Sequence, residues 1–130
     1  MAITIGNAVG LGSDYSVTTG VGAVDANTQR VTIADSYPKA GNSTAISVAS
    51  LTTSQTLKAS NSARIGLILT NTDANAVYVN YGVAASPTAF VVSIPANGYW
   101  VMPTPIYTGT LYATWAADGS GSLIGTELTP

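Results

Sequence analysis

The stretch 64–81, RIGLILTNTDANAVYVNY, decides the fold of this chain. Its odd-numbered positions hold bulky apolar side chains on both sides of a polar segment, TDAN, at 72–75. A period of two is typical of β-strands, because successive side chains of a strand point to opposite faces of the sheet. Asn and Asp are favoured residues for closing turns. The stretch therefore predicts two β-strands separated by a turn, with the odd-numbered side chains facing the core.

The same pattern continues in both directions from this stretch, through the rest of the chain from Ser43. Short runs rich in Val, Ile, Thr and Tyr alternate with turn-forming segments at intervals of about ten residues, which is typical of antiparallel hairpins. We predict an all-β fold, a compact antiparallel β-sandwich or barrel that is jelly-roll-like and has about eight strands. The predicted strands span 45–48, 53–58, 64–71, 76–81, 89–94, 98–102, 110–115 and 122–128.

Alternation within these strands also predicts a core. We expect it to include Ile65, Leu67, Leu69, Val77, Val79, Ile94, Val101, Leu111 and Leu123. The runs FVV at 90–92 and YWVM at 99–102 are apolar on both faces, although a lone antiparallel sandwich normally turns polar residues to water. Either face of these two strands is therefore a candidate contact with a second subunit.

Residues 1–42 have a different character. They are rich in Gly, Ala, Asn and Asp, and their apolar side chains are small and show little alternation. The run SYPKAGNS at 36–43 clusters turn-forming residues, which places a boundary near residue 42. We predict an extended N-terminal arm, 1–42, before a β domain, 43–130. Such an arm buries little of itself, so we expect contacts with another subunit to order it.

The composition excludes several classes of function. The 130 residues include no His and no Cys, which excludes the usual zinc, haem and iron–sulfur sites and both Ser-His and Cys-His catalysis. Only 8% of the residues are charged, and the four cations are scattered, so we do not expect a nucleic-acid partner. The longest apolar runs fall far short of the roughly 20 residues that span a bilayer, so we expect no membrane partner.

Acidic residues offer little chemistry in this sequence. Their spacing brings no two carboxylates together as a general acid and base, and no D-x-D-x-D-G calcium loop is present. We therefore expect a protein that is not an enzyme, with no cofactor and no metal site. The six acidic residues are Asp14, Asp25, Asp35, Asp73, Asp118 and Glu127.

Aromatic residues are the strongest candidates for a functional surface. On strands, Tyr99 and Trp100 point to opposite faces, as do Tyr112 and Trp115, so one member of each pair is expected in the core. The other member is either a subunit-interface anchor or a platform on which a sugar stacks. We favour the interface, because a sugar site also needs convergent polar groups that the sequence does not cluster. The candidate interface residues are Tyr37, Phe90, Val92, Tyr99, Trp100, Tyr112 and Trp115.

Several stretches resemble those of a known group of proteins. The segment GAVDANTQRVTIADS at 22–36 resembles a segment of the virion structural proteins of tailed bacteriophages. The runs at 53–58, 64–71, 77–82 and 94–100 are similar to a small β domain that recurs in phage head and tail accessory proteins. The resemblance implies a structural role in a virion, and it supplies no catalytic or binding residues.

From this resemblance we expect a capsid decoration, or cement, protein on the outer surface of the capsid, assembled in the host cytoplasm. It would bind and stabilise the lattice of the major capsid protein. Low charge and strands that are apolar on both faces suit permanent assembly, so we expect a homo-oligomer. A trimer is favoured because a capsid lattice offers three-fold positions. The alternatives are a tail, neck or fibre component, or a host-recognition module that binds glycans through Trp100 or Trp115.

Overall fold

The computed structural model describes residues 2–5, 15–18 and 38–130. Strands β1 (Ala2–Ile5) and β2 (Tyr15–Thr18) pair antiparallel within a first unit, Met1–Ser36. Tyr37–Pro130 forms a second unit. Most of the predicted arm lies outside the described residues, and its extended character stays a prediction.

The second unit is a sandwich of two antiparallel four-stranded sheets, so the all-β prediction is confirmed. Each of its eight strands overlaps one predicted run. The strands are β3 (Asn42–Ala49), β4 (Gln55–Lys58), β5 (Gly66–Asn71), β6 (Val77–Tyr81), β7 (Val92–Ile94), β8 (Tyr99–Val101), β9 (Leu111–Trp115) and β10 (Ser122–Thr129).

One sheet has the order β3-β10-β5-β8 and is called here the β5 sheet, while the other, the β6 sheet, has the order β4-β9-β6-β7. This is the strand order of a jelly roll, in which the chain crosses between sheets at nearly every connection. Only β6 and β7 are both consecutive in the chain and paired within the sandwich. The expectation of successive hairpins is therefore wrong, because most of the turn segments carry the chain from one sheet to the other.

The core fills the space between the two sheets and confirms most of the predicted set. Its buried residues are Ile46, Leu57, Leu67, Leu69, Val77, Val79, Ile94, Met102, Leu111, Ala113, Trp115 and Leu123.

Two residues that were predicted to lie in the core are not fully buried. Ile65 is only half-buried. The prediction that Val101 lies in the core was wrong, since Val101 is 53% exposed while Met102 is buried. Because all four residues of the YWVM run are apolar, alternation could not decide which pair faces inward. The structure turns Trp100 and Met102 toward the core.

Candidate functional site

The outer face of the β5 sheet is uncharged across all four strands. The strand register places its outward side chains in two neighbouring rows that run from β3 through β10 and β5 to β8. The rows are Ala45–Thr126–Ile68–Val101 and Ser47–Ile124–Thr70–Tyr99. Every side chain in them is aliphatic, aromatic or a hydroxyl.

Four large apolar or aromatic side chains in these rows are open to solvent. Ile68 is 42% exposed, Ile124 is 41% exposed and Tyr99 is 76% exposed, and Val101 stands beside Ile68 on the next strand. A shallow depression of about 390 Å³ is lined by Ile68, Ile124 and Ala45, among others. A contiguous exposed apolar patch of this kind is typical of a protein-interaction surface.

A glycine in β10 lies where the strand approaches β5 closely. Gly125 lies between Ile124 and Thr126, and a Cβ there would collide with the carbonyl oxygen of Ile68 and the side chain of Leu69. Glycine therefore permits β10 to lie close against β5.

The inner face of the same sheet contains a buried ion pair at one end of β5. Arg64 Nε donates a hydrogen bond to Glu127 Oε1 at 2.7 Å, and both residues are almost fully buried. The remaining guanidinium nitrogens donate to the backbone carbonyls of Tyr107, Gly109 and Ala59 at 2.8–3.0 Å. These hydrogen bonds connect the loops that contain Ala59, Tyr107 and Gly109 to the end of the β5 sheet.

Glu127 is further held by Lys58, whose Nζ lies 3.2 Å from Oε2. Burial by itself raises the pKa of Glu127, but hydrogen bonds from Arg64, Asn61 and Lys58 outweigh that effect and leave the pKa below its ordinary value. The carboxyl group is therefore stabilised as the anion, which does not suit a general acid.

Asp73 lies beyond the opposite end of β5 and closes a turn, as its sequence context predicted. Its carboxylate accepts hydrogen bonds from the backbone N–H of Asn75 at 2.8 Å and that of Gly121 at 2.7 Å. The bond from the Asn75 backbone is the main cause that lowers the pKa of Asp73. Asp118 accepts a hydrogen bond from the backbone N–H of Thr52 at 2.7 Å.

The three acidic side chains that the structure describes outside the first unit each accept hydrogen bonds that hold a turn, a loop or the sheet in place. Within the described residues, no group of three or more His, Cys, Asp or Glu side chains could hold a metal ion. The same part of the chain contains no helix that is long and apolar enough to cross a membrane.

The structure disperses the candidate interface residues. Tyr99 lies on the outer face of the β5 sheet. Phe90 is exposed and packs against Tyr78 of β6 with ring centroids 5.1 Å apart, and the half-buried Tyr112 lies beside Asn80 in the β6 sheet. The candidates therefore do not form one site.

The other candidates contribute little to either outer surface. Trp115 is 1% exposed and belongs to the core, so the prediction that it lies at a subunit interface was wrong. Val92 and Trp100 are partly buried and pack against that core. Tyr37 lies outside the described residues.

Sequence reasoning missed Ile68 and Ile124 as surface residues. Their signal was present, because each stands next to a core leucine and makes its strand apolar on both faces. What the sequence did not show was that their two strands are neighbours.

The chain matches no protein-family model, no curated protein and no solved structure.

Proposed function

We propose that this chain is a non-enzymatic structural protein of a phage virion. It acts as a capsid decoration protein that binds the lattice of the major capsid protein from outside, as a homo-oligomer assembled in the host cytoplasm. The observation that carries the proposal is the uncharged outer face of the β5 sheet, with Ile68, Ile124, Val101 and Tyr99 open to solvent.

This surface suits permanent binding for a physical reason. Removing apolar area from water contributes about 25 cal/mol per Å², and long-lived interfaces are more apolar than transient ones. The two rows contain no charged group, so a partner that covers them need not desolvate a charge. A ligand that binds only the assembled shell stabilises that shell by mass action.

The sequence resemblance supports the virion assignment from a separate direction. Its four runs in the β domain coincide with or overlap β4, β5, β6 and the β7–β8 region, while 22–36 lies outside the described residues. A tail, neck or fibre component would use the same surface chemistry. Copy number separates these roles, because a decoration protein coats a lattice whereas a neck or fibre protein is present in few copies.

The glycan-binding alternative loses support in this structure. It relied on a tryptophan ring that a sugar could stack on. Trp115 is buried in the core and Trp100 packs against that core. Neither residue is favoured as a sugar platform.

The proposal is tested by adding the full-length protein to shells that lack it and measuring the temperature at which they break. We expect the wild type to raise that temperature. The variant Ile68→Lys/Ile124→Lys should lose the effect, because it places two charges in the depression.

The matched control is Thr56→Lys/Ser93→Lys, which adds the same charge at exposed positions of the β6 sheet. It should protect shells like the wild type. Failure of the wild type to protect, or equal loss by both variants, would overturn the proposed role of this face.

A further inference from the structure

The four edge strands of the sandwich differ in how they are protected. The β4 edge is four residues long and has a register shift between Thr56 and Lys58. Its last residue is the positively charged Lys58. The β7 and β8 edges have three residues each, with Pro95 directly after β7 and Pro103 two residues beyond β8. Short length, irregular register, Lys and Pro all discourage pairing with another chain.

The remaining edge, β3, has none of these protections. It is eight residues long, contains no charged residue and no proline, and pairs with β10 along its whole length without a register shift. No other strand of the sandwich pairs with its other side.

The register identifies the backbone groups on that free side. The N–H of Ser50 donates to the carbonyl of Gly121 at 3.0 Å, which continues the β3–β10 ladder and places even-numbered residues toward β10. Alternate residues of an antiparallel strand bond to opposite sides. The free side therefore carries the N–H and C=O groups of Ser43, Ala45, Ser47 and Ala49. Of these groups the C=O of Ala49 already accepts a hydrogen bond, from Gln55 Nε2 at 2.7 Å.

We propose that β3 pairs antiparallel with β3 of a second copy of this chain, across a two-fold axis at Ile46. In that register Ala45 lies opposite Ser47 of the partner subunit, and Ser43 lies opposite Ala49 of the partner subunit. Every unpaired N–H and C=O group on this side of both strands then has a partner, the C=O of Ala49 accepts a second hydrogen bond beside the one from Gln55, and the two β5 sheets join into one continuous sheet.

The properties of β3 favour a second copy as the occupant. The strand is uncharged, so two copies meet without repulsion, and the facing side chains are small. A foreign strand would be selected through pockets beside the edge, and the one depression described on this face is shallow. A two-fold pair also uses the edge of both copies at once and does not propagate into fibres.

This pairing gives a dimer in place of the trimer expected from the capsid lattice. It rests on the edge of β3 alone and does not depend on the virion role. It would place the two proposed assembly faces side by side, because the rows that begin at Ala45 and Ser47 reach the paired edge.

Cysteine cross-linking tests the register, since the chain has no native cysteine. Residues opposite each other in a hydrogen-bonded pair have Cα atoms about 5.5 Å apart, which a disulfide can bridge. A mixture of full-length Ala45→Cys and Ser47→Cys proteins should therefore form a cross-linked dimer on oxidation.

Each single variant alone should cross-link far less, because its two cysteines are diagonal neighbours about 7–8 Å apart. A mixture of Ser47→Cys with Ser93→Cys, whose cysteine lies on the other sheet, is the matched control. Cross-linking that is equal in all of these samples would overturn the register.

Paired charges test the interface itself. The variants Ala45→Lys/Ser47→Lys and Ala45→Glu/Ser47→Glu each place like charges opposite one another in the pair. Sedimentation at micromolar concentration should show a wild-type dimer, monomers of each variant alone, and a dimer when the two variants are mixed. A wild-type monomer or trimer, or variants that remain dimers alone, would overturn the proposal.

Discussion

The two faces of the β5 sheet have similar side chains and opposite surroundings. Leu67, Ile68 and Leu69 are consecutive on β5, yet both leucines are buried while Ile68 is 42% exposed. The leucines pack against the β6 sheet, whereas no strand of the sandwich lies over Ile68. Apolar content alone therefore does not distinguish a buried face from an exposed one. The difference is whether the partner layer belongs to the same sandwich.

We expect the largest loss of stability when the buried ion pair on the inner face is broken. Arg64→Ala leaves Lys58 as the one cation that the described residues pair with Glu127, and it leaves three backbone carbonyls without their donor. Breaking a buried pair by removing one partner costs about 3–5 kcal/mol, so we expect a loss of that size in the free energy of unfolding, measured with urea.

The double variant Arg64→Met/Glu127→Met is the control. It removes both buried charges, so it should be more stable than Arg64→Ala. A single variant that loses less than about 1 kcal/mol would show that this pair does not hold the inner face.

We expect the second-largest loss of stability when a leucine of the inner face is truncated. Leu67→Ala should lower the free energy of unfolding by about 2–5 kcal/mol, through lost apolar transfer and an unfilled cavity. Denaturation by urea measures it. A loss below about 0.5 kcal/mol, the range of ordinary surface substitutions, would mean that the two faces are exchanged.

The sequence predicted the inner face because its pattern is local. Alternation at 64–71 and 76–81 identified Leu67, Leu69, Val77 and Val79, since bulky residues recur there with a period of two. It was wrong at Val101, where four consecutive apolar residues leave the period without information.

Pairings between distant residues were not predictable. Arg64 and Glu127 are 63 residues apart in the chain, and no local pattern connects them. The outer face and the free edge of β3 depend on strand order, which is set by how the sheets pack rather than by any single strand. That contacts with another subunit order the arm, 1–42, stays a prediction.

Acid should weaken the sandwich gradually through two carboxylates, that of Glu127 on the inner face and that of Asp73 in the turn beyond β5. The pKa of Glu127 and the pKa of Asp73 are both lowered by folding, from ordinary values of 4.5 and 3.8. The unfolded chain therefore binds protons first as the pH falls, and the stability from these carboxylates is present above those values and is lost below them. Urea denaturation at pH 7 and at a series of pH values below 4.5 should show this loss.

The variant Asp73→Asn separates the two contributions. It removes one of the two titrating carboxylates, so its stability should fall less steeply with acid than that of the wild type, although it starts lower. A variant with the same slope as the wild type would show that Asp73 does not contribute to the acid sensitivity.

The outer face should give the smallest effect in the free protein, and that difference sharpens the contrast with Leu67. Ile68→Thr keeps a β-branched side chain on an exposed position of β5, so we expect its free energy of unfolding to stay within about 0.5 kcal/mol of the wild type. A loss as large as that of Leu67→Ala would mean that Ile68 is already covered in solution. Repeating the measurement over a range of protein concentration then identifies the cover. A loss that grows with concentration indicates a second copy, because association contributes to stability by mass action, whereas a constant loss indicates a segment of the same chain.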